Sequence, residues 1–204
     1  MALAGLAAAA AHRLIAGPGL SPLRARIVAL AQSQVGYRTD PPDTYCNPYS
    51  AFWDAGTADC GNGDLDEEWC ADFAAWVWKQ AGAEVTYALA PGELNSRSAS
   101  FYVWGVDHHT WHALGSHYSP QPGDVAVYGL DAAAVTADHV AIVVGTTGSD
   151  DAPDVVNGDG DRTGFSVVEV GDDETYADVR GHGRTGAERL AGYVSPTSAP
   201  ASGG

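Results

Sequence analysis

The stretch that decides the fold reads Trp69-Cys-Ala-Asp-Phe-Ala-Ala-Trp-Val-Trp-Lys-Gln-Ala-Gly82. It is the most clearly helical part of the chain, and it ends at a glycine, as helices often do. The pattern predicts a helix that opens at Cys70. A cysteine in this position can carry out chemistry, because of where the first helical turn places it.

A cysteine in the first turn of a helix faces unpaired backbone N–H groups and the positive end of the helix dipole. Both features favour the thiolate over the thiol. Cys70 is therefore our candidate nucleophile. The alternative is that Cys70 is a buried core residue, as thiols often are, and the helix position alone leaves that alternative open.

A second helix is predicted upstream, from Ser21 to Val35. It starts with a capping serine and a proline at the first helical position, and its apolar residues recur at helical spacing. The segment that follows, to about Glu67, is predicted to be a long loop. A third helix is predicted from Pro91 to Trp104.

The second half of the chain changes to short β-branched runs separated by Gly, Asp and Pro turns. The predicted strands are Asp124–Tyr128, His139–Val144, Asp154–Asn157, Phe165–Val170 and Leu190–Val194. Helices followed by strands indicate an α+β domain. We expect N-terminal helices packed on an antiparallel β-sheet of about five or six strands.

The chain has 204 residues, a length suited to one domain. We place that domain at residues 21–195, after a flexible or signal-like segment at 1–20 and before a tail at 196–204 that we expect to be disordered. An Ala-rich helix or a mis-chosen start would explain the first segment equally well. No stretch is long and apolar enough to span a bilayer, so we expect no membrane span.

Acidic residues outnumber Lys and Arg by 26 to 10, which gives a formal net charge of -16. A chain with this charge repels polyanions at long range, and this argues against nucleic acid as a partner. The charge says nothing about the oligomeric state, which the sequence leaves open.

The three cysteines are Cys46, Cys60 and Cys70. In an exported protein an odd count suggests one disulfide and one remaining thiol. Cys46 and Cys60 bracket a segment without helical or strand period, where closing a loop of this size adds about 3 kcal/mol of stability. We predict a disulfide between these two, which leaves Cys70 as the thiol.

A cysteine nucleophile needs a base, and the base needs a third group that orients it. His139 opens a predicted strand and lies on the face opposite Val140 and Ile142, because side chains alternate along a strand. It can therefore point towards the end of a packed helix. Asn157, which ends the next strand, is our candidate for the orienting group, and Asp159 is the alternative. Asn157-Gly158 is also readable as a simple turn.

Four blocks, taken in order, resemble the CHAP domain, the cysteine- and histidine-dependent amidohydrolase/peptidase. They are Glu68-Trp-Cys-Ala-Asp-Phe73, Pro122-Gly-Asp-Val-Ala-Val-Tyr128, Asp138-His-Val-Ala-Ile-Val143 and Val156-Asn-Gly-Asp159. The resemblance runs from about Ile27 to Val194. The region from Tyr45-Cys46 to Trp69 is also similar to secreted actinobacterial members of this papain-like, NlpC/P60-type group.

The resemblance implies a papain-like fold with Cys70 as nucleophile and His139 as general base. The third position is often a glutamate in that family, where this chain has Asn157. The implied substrate is peptidoglycan, cut between N-acetylmuramic acid and L-alanine or within the peptide stem or cross-bridge. We accordingly expect a secreted, extracellular or wall-located hydrolase.

Other functions stay open at this point. An amidase that acts on a small soluble amide and a wall-binding module without catalysis are the two rivals. Trp69, Trp104 and Trp111 are candidate substrate-binding residues, and core packing is the alternative for such aromatic side chains.

We expect no cofactor and no metal. No Cys-x-x-Cys pair is present, and no His-x-x-x-His pair lies near the thiols in the sequence. His108, His109 and His112 lack a carboxylate or cysteine at matching spacing, and we interpret them as a polar loop or groove rim. Some CHAP domains bind calcium just ahead of the cysteine. Three aspartates fall in that region here, but Asp64-Leu-Asp66 supplies too few oxygen ligands by itself. They are Asp59, Asp64 and Asp66.

Overall fold

The computed structural model describes residues 19–39, 45–55, 68–145, 153–162, 165–171 and 189–198. Within these ranges the chain forms four helices and six strands. The helices are α1 (Pro22–Ser33), α2 (Pro48–Phe52), α3 (Cys70–Ala81) and α4 (Ala99–Asp107). The strands are β1 (Trp111–Ala113), β2 (Val125–Tyr128), β3 (His139–Gly145), β4 (Asp154–Arg162), β5 (Phe165–Gly171) and β6 (Leu190–Val194).

The six strands form one sheet in the order β1-β6-β2-β3-β4-β5. Every neighbouring pair in this sheet is antiparallel. The predicted α+β class, with N-terminal helices on an antiparallel sheet, is confirmed.

The two helices predicted from local signals form where the sequence places their ends. Ser21 caps α1, because its hydroxyl accepts a hydrogen bond from the Arg24 N–H at 3.3 Å. Helix α3 begins at Cys70 and ends before Gly82, which takes the left-handed φ of 92° that glycine adopts readily. Both predictions are confirmed to within two residues.

Two local predictions were wrong, and one short strand was missed. Helix α2 interrupts the predicted loop, since the Asn47 side chain accepts from the N–H groups of Tyr49 and Ser50 at 3.0 and 2.8 Å. Helix α4 begins only at Ala99, because Leu94 is extended and its N–H donates to the Thr86 carbonyl at 3.2 Å. The three-residue strand β1 was not predicted at all.

The helices pack on one face of the sheet. The buried side chains on that face include Ile27 of α1 and Cys70 of α3, and they meet alternate residues of the strands. The strand residues on this face are Val125, Val127, Val140, Ile142, Val156, Val168 and Val194. The opposite face carries a second, smaller apolar cluster that includes Tyr128 and Ala141. The sheet therefore has apolar clusters on both faces.

A fully buried carboxylate, Asp124, joins α1 to the sheet. Its Oδ1 lies 2.8 Å from Nη1 of Arg24, and its Oδ2 accepts from the Tyr118 hydroxyl at 2.7 Å. The Ser195 hydroxyl and the Gln121 N–H donate to the same carboxylate at 2.9 and 2.8 Å. Burial raises the pKa of Tyr118 to about 12, so its O–H stays available as a donor.

The body of the domain continues past residue 195. The Glu84 N–H donates to the Thr197 carbonyl at 3.0 Å, and Ser198 forms a bridge with Ala83. The first residues of the predicted tail therefore pack against the end of α3. Residues 1–18 and 199–204, which hold the rest of the predicted terminal segments, lie outside the described residues. In the described part of the chain, no helix has the length and apolar character needed to cross a membrane.

Candidate active site

Cys70 is the first residue of α3, is 2% exposed and is not part of a disulfide. Trp69 precedes Cys70 as the N-cap residue, and its side chain makes no capping hydrogen bond. The Trp69 ring stacks on Tyr49 at a centroid distance of 5.4 Å, and Tyr37 meets its face edge-on at 6.2 Å. These buried aromatic rings fix the end of the helix that carries the thiol.

His139 and Asn157 form a buried hydrogen-bonded pair. Nε2 of His139 lies 3.0 Å from Oδ1 of Asn157, and the two residues are 0 and 2% exposed. An amide oxygen accepts hydrogen bonds, so Nε2 carries the proton in the neutral ring. Nδ1 then carries the lone pair and is the nitrogen that can act as a base. The pairing of His139 with Asn157 places together two residues that the sequence singled out.

The orientation of His139 does not follow from strand alternation in the way the sequence argument assumed. The β3 residues that pack against the helices are Val140 and Ile142, while Ala141 lies on the opposite face of the sheet. His139 is the first residue of β3, and its ring lies 6.2 Å from that of Tyr128. Strand alternation therefore does not account for a His139 ring directed at the helices, and one contact that holds the ring is its hydrogen bond to Asn157.

A bulge in β4 brings the histidine's partner next to the thiol helix. Asn157 pairs with Glu169 of β5 and Gly160 pairs with Val167, so β4 holds one extra residue between these two pairs. Asp159 sits in this bulge with a left-handed φ of 61°. Aspartate tolerates that conformation better than most residues, and backbone of this kind is often found at functional sites.

Three consecutive residues in this part of β4 contact three parts of the site. Asn157 binds His139, and Asp159 accepts from the Trp69 N–H through Oδ2 at 3.1 Å. Gly158 lies between them against Phe73, so close that an added Cβ would fall 2.5 Å from the Cβ of Phe73. The segment 157–159 thus joins the histidine to the first turn of α3, where Cys70 lies.

Asp159 was the alternative third member, and its contact is of a different kind. Its carboxylate binds the backbone immediately before Cys70, at the N-terminal end of α3. A negative charge is stabilised at the N-terminus of a helix. Asn157 is the residue whose side chain is hydrogen bonded to the His139 ring, and we keep it as the orienting candidate.

Gly158→Ala should lower the stability of the domain by about 1 to 3 kcal/mol, because the new methyl group overlaps the rigid start of the Phe73 side chain. Thermal unfolding measures the change. Gly145→Ala is the matched control, since its added Cβ meets the movable carboxylate end of Asp154 at 2.5 Å. An equal loss in both variants would contradict the close packing of Gly158.

Asn157→Ala should reduce kcat about a hundredfold with little change in KM in any reaction that uses His139 as a base, since a loosely held base loses its alignment. Asn157→Asp keeps an acceptor for Nε2–H and should retain most of the rate. Initial rates over a range of substrate concentrations give both values. Near-normal turnover in the alanine variant would show that His139 does not need Asn157.

Ser98 contacts the thiol directly, and no sequence pattern indicated this contact. Its Oγ lies 3.3 Å from Sγ of Cys70, and the residue is 8% exposed. Ser98 stands just before α4, where a serine is common as a helix cap. A local pattern can indicate such a cap, but it cannot indicate a contact with a residue 28 positions away.

Two of the three predicted substrate-binding tryptophans are core residues. Trp69 and Trp104 are 0 and 1% exposed, so they do not line a groove, and this corrects the expectation for both. Trp111 is partly buried in β1 and packs edge-on against Tyr102 at 5.1 Å. Core packing was the open alternative for these rings, and burial supports it for Trp69 and Trp104.

An open pocket of about 380 Å³ lies against the segment that carries Ser98. Arg97, Ala99 and Ser100 contribute to its wall, together with Val103 of α4 and Val135. The lining residues include those on either side of Ser98 in the chain, but not Ser98 itself. No pattern in the sequence pointed to this pocket.

Within the described ranges, no group of three or more His, Cys, Asp and Glu side chains is arranged to hold a metal ion. His108 stacks on Trp104 at 4.1 Å, whereas His112 stacks on Tyr118 at 3.6 Å. Burial lowers the pKa of His112. The three aspartates considered for calcium, and Cys60 of the predicted disulfide, lie outside the described residues. Those aspartates are Asp59, Asp64 and Asp66.

Residues 61–158 match the family model described as the CHAP domain. The match spans Cys70, His139 and Asn157, and it supports the domain assignment made from the sequence. The α+β architecture, with its thiol helix on an antiparallel sheet, agrees with a papain-like CHAP fold. No curated protein and no solved structure matches the chain.

Proposed function

We propose that this protein is a peptidoglycan hydrolase that cleaves amide bonds with Cys70 as nucleophile and His139 as general base. The CHAP domain match supports a hydrolase of the amidase or peptidase type with peptidoglycan as its substrate. The observation that carries the residue roles is the segment 157–159, which binds His139 at one end and the backbone before Cys70 at the other.

The first half of the reaction forms a thioester. The Cys70 thiolate attacks the carbonyl carbon of the amide, and the carbonyl oxygen becomes an oxyanion. The Cys70 N–H belongs to the first turn of α3, whose N–H groups are not used within the helix, and it can donate to that oxyanion. Nδ1 of His139 takes the thiol proton when the thiolate forms, and it gives that proton to the leaving amine when the C–N bond breaks.

The second half regenerates the thiol. Nδ1 of neutral His139 takes a proton from a water molecule, and the oxygen of that water attacks the thioester carbon. The C–S bond breaks, the acyl group leaves as a carboxylic acid, and the sulfur departs as thiolate beside the protonated ring. The hydrogen bond to Asn157 keeps Nε2 protonated throughout, so Nδ1 is the atom that accepts and donates the proton in both halves of the reaction.

The substrate has to reach a thiol that is almost fully buried. We propose that the pocket lined by Arg97 and Ala99, the sequence neighbours of Ser98, receives the chain flanking the scissile amide. The two bond classes open to the enzyme are the muramoyl–L-alanine amide and the peptide bonds of the stem or cross-bridge. We also propose an extracellular or wall location, together with the Cys46–Cys60 disulfide that such a location permits.

The decisive experiment is to incubate the protein with purified peptidoglycan and to identify the released fragments by mass spectrometry. A new amine on L-alanine would identify an amidase, and a new amine on another stem residue would identify an endopeptidase. Intact wall after incubation would contradict the proposal. In that case, turnover of a small soluble amide, or co-sedimentation with the wall, would decide between an enzyme on small amides and a wall-binding module.

A further inference from the structure

Ser98 is a buried hydroxyl aimed at the candidate nucleophile. The Oγ–Sγ separation of 3.3 Å is within hydrogen-bond range for sulfur, and either atom can donate while Cys70 is a thiol. Once the sulfur is a thiolate it has no proton, so only the serine O–H can donate. The contact therefore favours the charged form of the sulfur, since hydrogen bonds to a charged group are stronger than neutral ones.

The hydroxyl is not used for the helix it precedes. Ser98 occupies the N-cap position of α4, yet its side chain makes no capping hydrogen bond, and its backbone is already helical with φ of -54° and ψ of -38°. A serine at this position ordinarily accepts from an N–H of the first turn. Here the hydroxyl points instead towards Cys70 at the N-terminal end of α3.

The segment before α4 holds Ser98 in place. The Asn95 N–H donates to Oγ of Ser100 at 3.2 Å, and that hydroxyl donates back to the Asn95 carbonyl at 3.1 Å. The Arg97 N–H donates to Oδ1 of Asn95 at 3.1 Å. Phe101, fully buried, anchors the first turn of α4 in the core. These contacts hold the backbone on both sides of Ser98, and its hydroxyl lies 3.3 Å from Sγ of Cys70.

We propose that Ser98 is a positioning residue for the thiol chemistry: its hydroxyl donates to the Cys70 thiolate and holds Sγ in the attacking direction. The inference rests on the proposed function, because it assigns Ser98 a part in the same site. This role also explains why the Ser98 side chain makes no capping hydrogen bond to α4.

The titratable groups around this end of α3 come from α3, β3 and β4, with Tyr87 from the segment before α4 and Tyr49 from α2. On α3 itself, Asp72 accepts from the Tyr87 hydroxyl. From β4, Asp159 accepts from the Trp69 N–H, and from β3, His139 is held by Asn157. Ser98 carries no charge, so its removal changes the donor set at the sulfur without changing the charge of the site.

The test is the rate at which iodoacetamide alkylates Cys70, measured against pH, with the modified peptide identified by mass spectrometry. Because only the thiolate reacts, the midpoint of this profile reports the pKa of the thiol. We expect Ser98→Ala to move the midpoint upward by about one pH unit, as loss of a hydrogen bond to a charged group does. Ser98→Thr keeps the hydroxyl and should restore the wild-type midpoint.

Ser96→Ala is the matched control, since it removes a hydroxyl from the same segment and should leave the midpoint unchanged. An unshifted Ser98→Ala profile, or an equal shift in Ser96→Ala, would overturn the proposal. If the alanine variant does not fold, Ser98→Gly carries the test, because glycine is tolerated at an N-cap. Alkylation needs no wall, so a shifted midpoint without peptidoglycan cleavage would refute the proposed function and leave the role of Ser98 at the thiol intact.

Discussion

Cys70→Ala should lower the rate of fragment release from peptidoglycan by about 10⁴-fold or more, which is the loss expected when the nucleophile of a hydrolase is removed. The alanine side chain has no atom that can form the thioester. What activity remains would come from the oxyanion donors and substrate binding alone. The assay is the appearance of soluble fragments over time at equal protein concentration.

Cys70→Ala should change the chemistry of the site without disturbing the fold. Cys70 is buried, and alanine removes only the sulfur from a helix that already carries Ala71 and Ala74. We therefore expect a thermal unfolding midpoint close to that of the wild type. Fragment release at the wild-type rate from a folded Cys70→Ala protein would exclude Cys70 as the nucleophile.

The largest loss of stability is expected from Asp124→Ala. The change leaves the Arg24 guanidinium, which is 14% exposed, without its carboxylate, and it removes the acceptor of the Tyr118 and Ser195 hydroxyls. Breaking a buried ion pair from one side typically costs about 3 to 5 kcal/mol. For a domain of this size the unfolding midpoint should fall on the order of 10 °C.

A double-mutant cycle with Arg24→Met separates the ion pair from the other hydrogen bonds of Asp124. We expect Asp124→Ala to be less harmful in the Arg24→Met background, because no buried charge is then left alone. Strictly additive losses in the free energy of unfolding would show that Arg24 and Asp124 do not interact. A loss below about 1 kcal/mol for Asp124→Ala would contradict the buried network as a whole.

Features encoded by neighbouring residues could be read from the sequence. The Ser21 cap, the Pro22 start and the Gly82 stop act within one helical turn, so α1 and α3 were predicted with nearly correct ends. The five predicted strands also formed, because short β-branched runs between turn residues are local signals. The order of helices before strands then gave the α+β class.

Features that depend on distant residues were not readable in this way. Trp69 and Trp104 look like groove residues in a sequence, and only the packed fold shows them in the core. The direction of His139 depends on Asn157, 18 positions away, and the Ser98 contact depends on where α4 meets α3. Even α2 and β1 are short elements whose formation relies on their surroundings more than on their own propensity.

The extra residue in β4 makes the spacing of the site as important as its composition. Without the bulge, regular alternation would resume after Asn157, and the residues beyond it would exchange faces of the sheet. The contact of Asp159 with the thiol helix would then be lost although every functional side chain was still encoded. A transplant of this site into another scaffold would therefore have to copy a backbone irregularity, and a list of residue identities would not be enough.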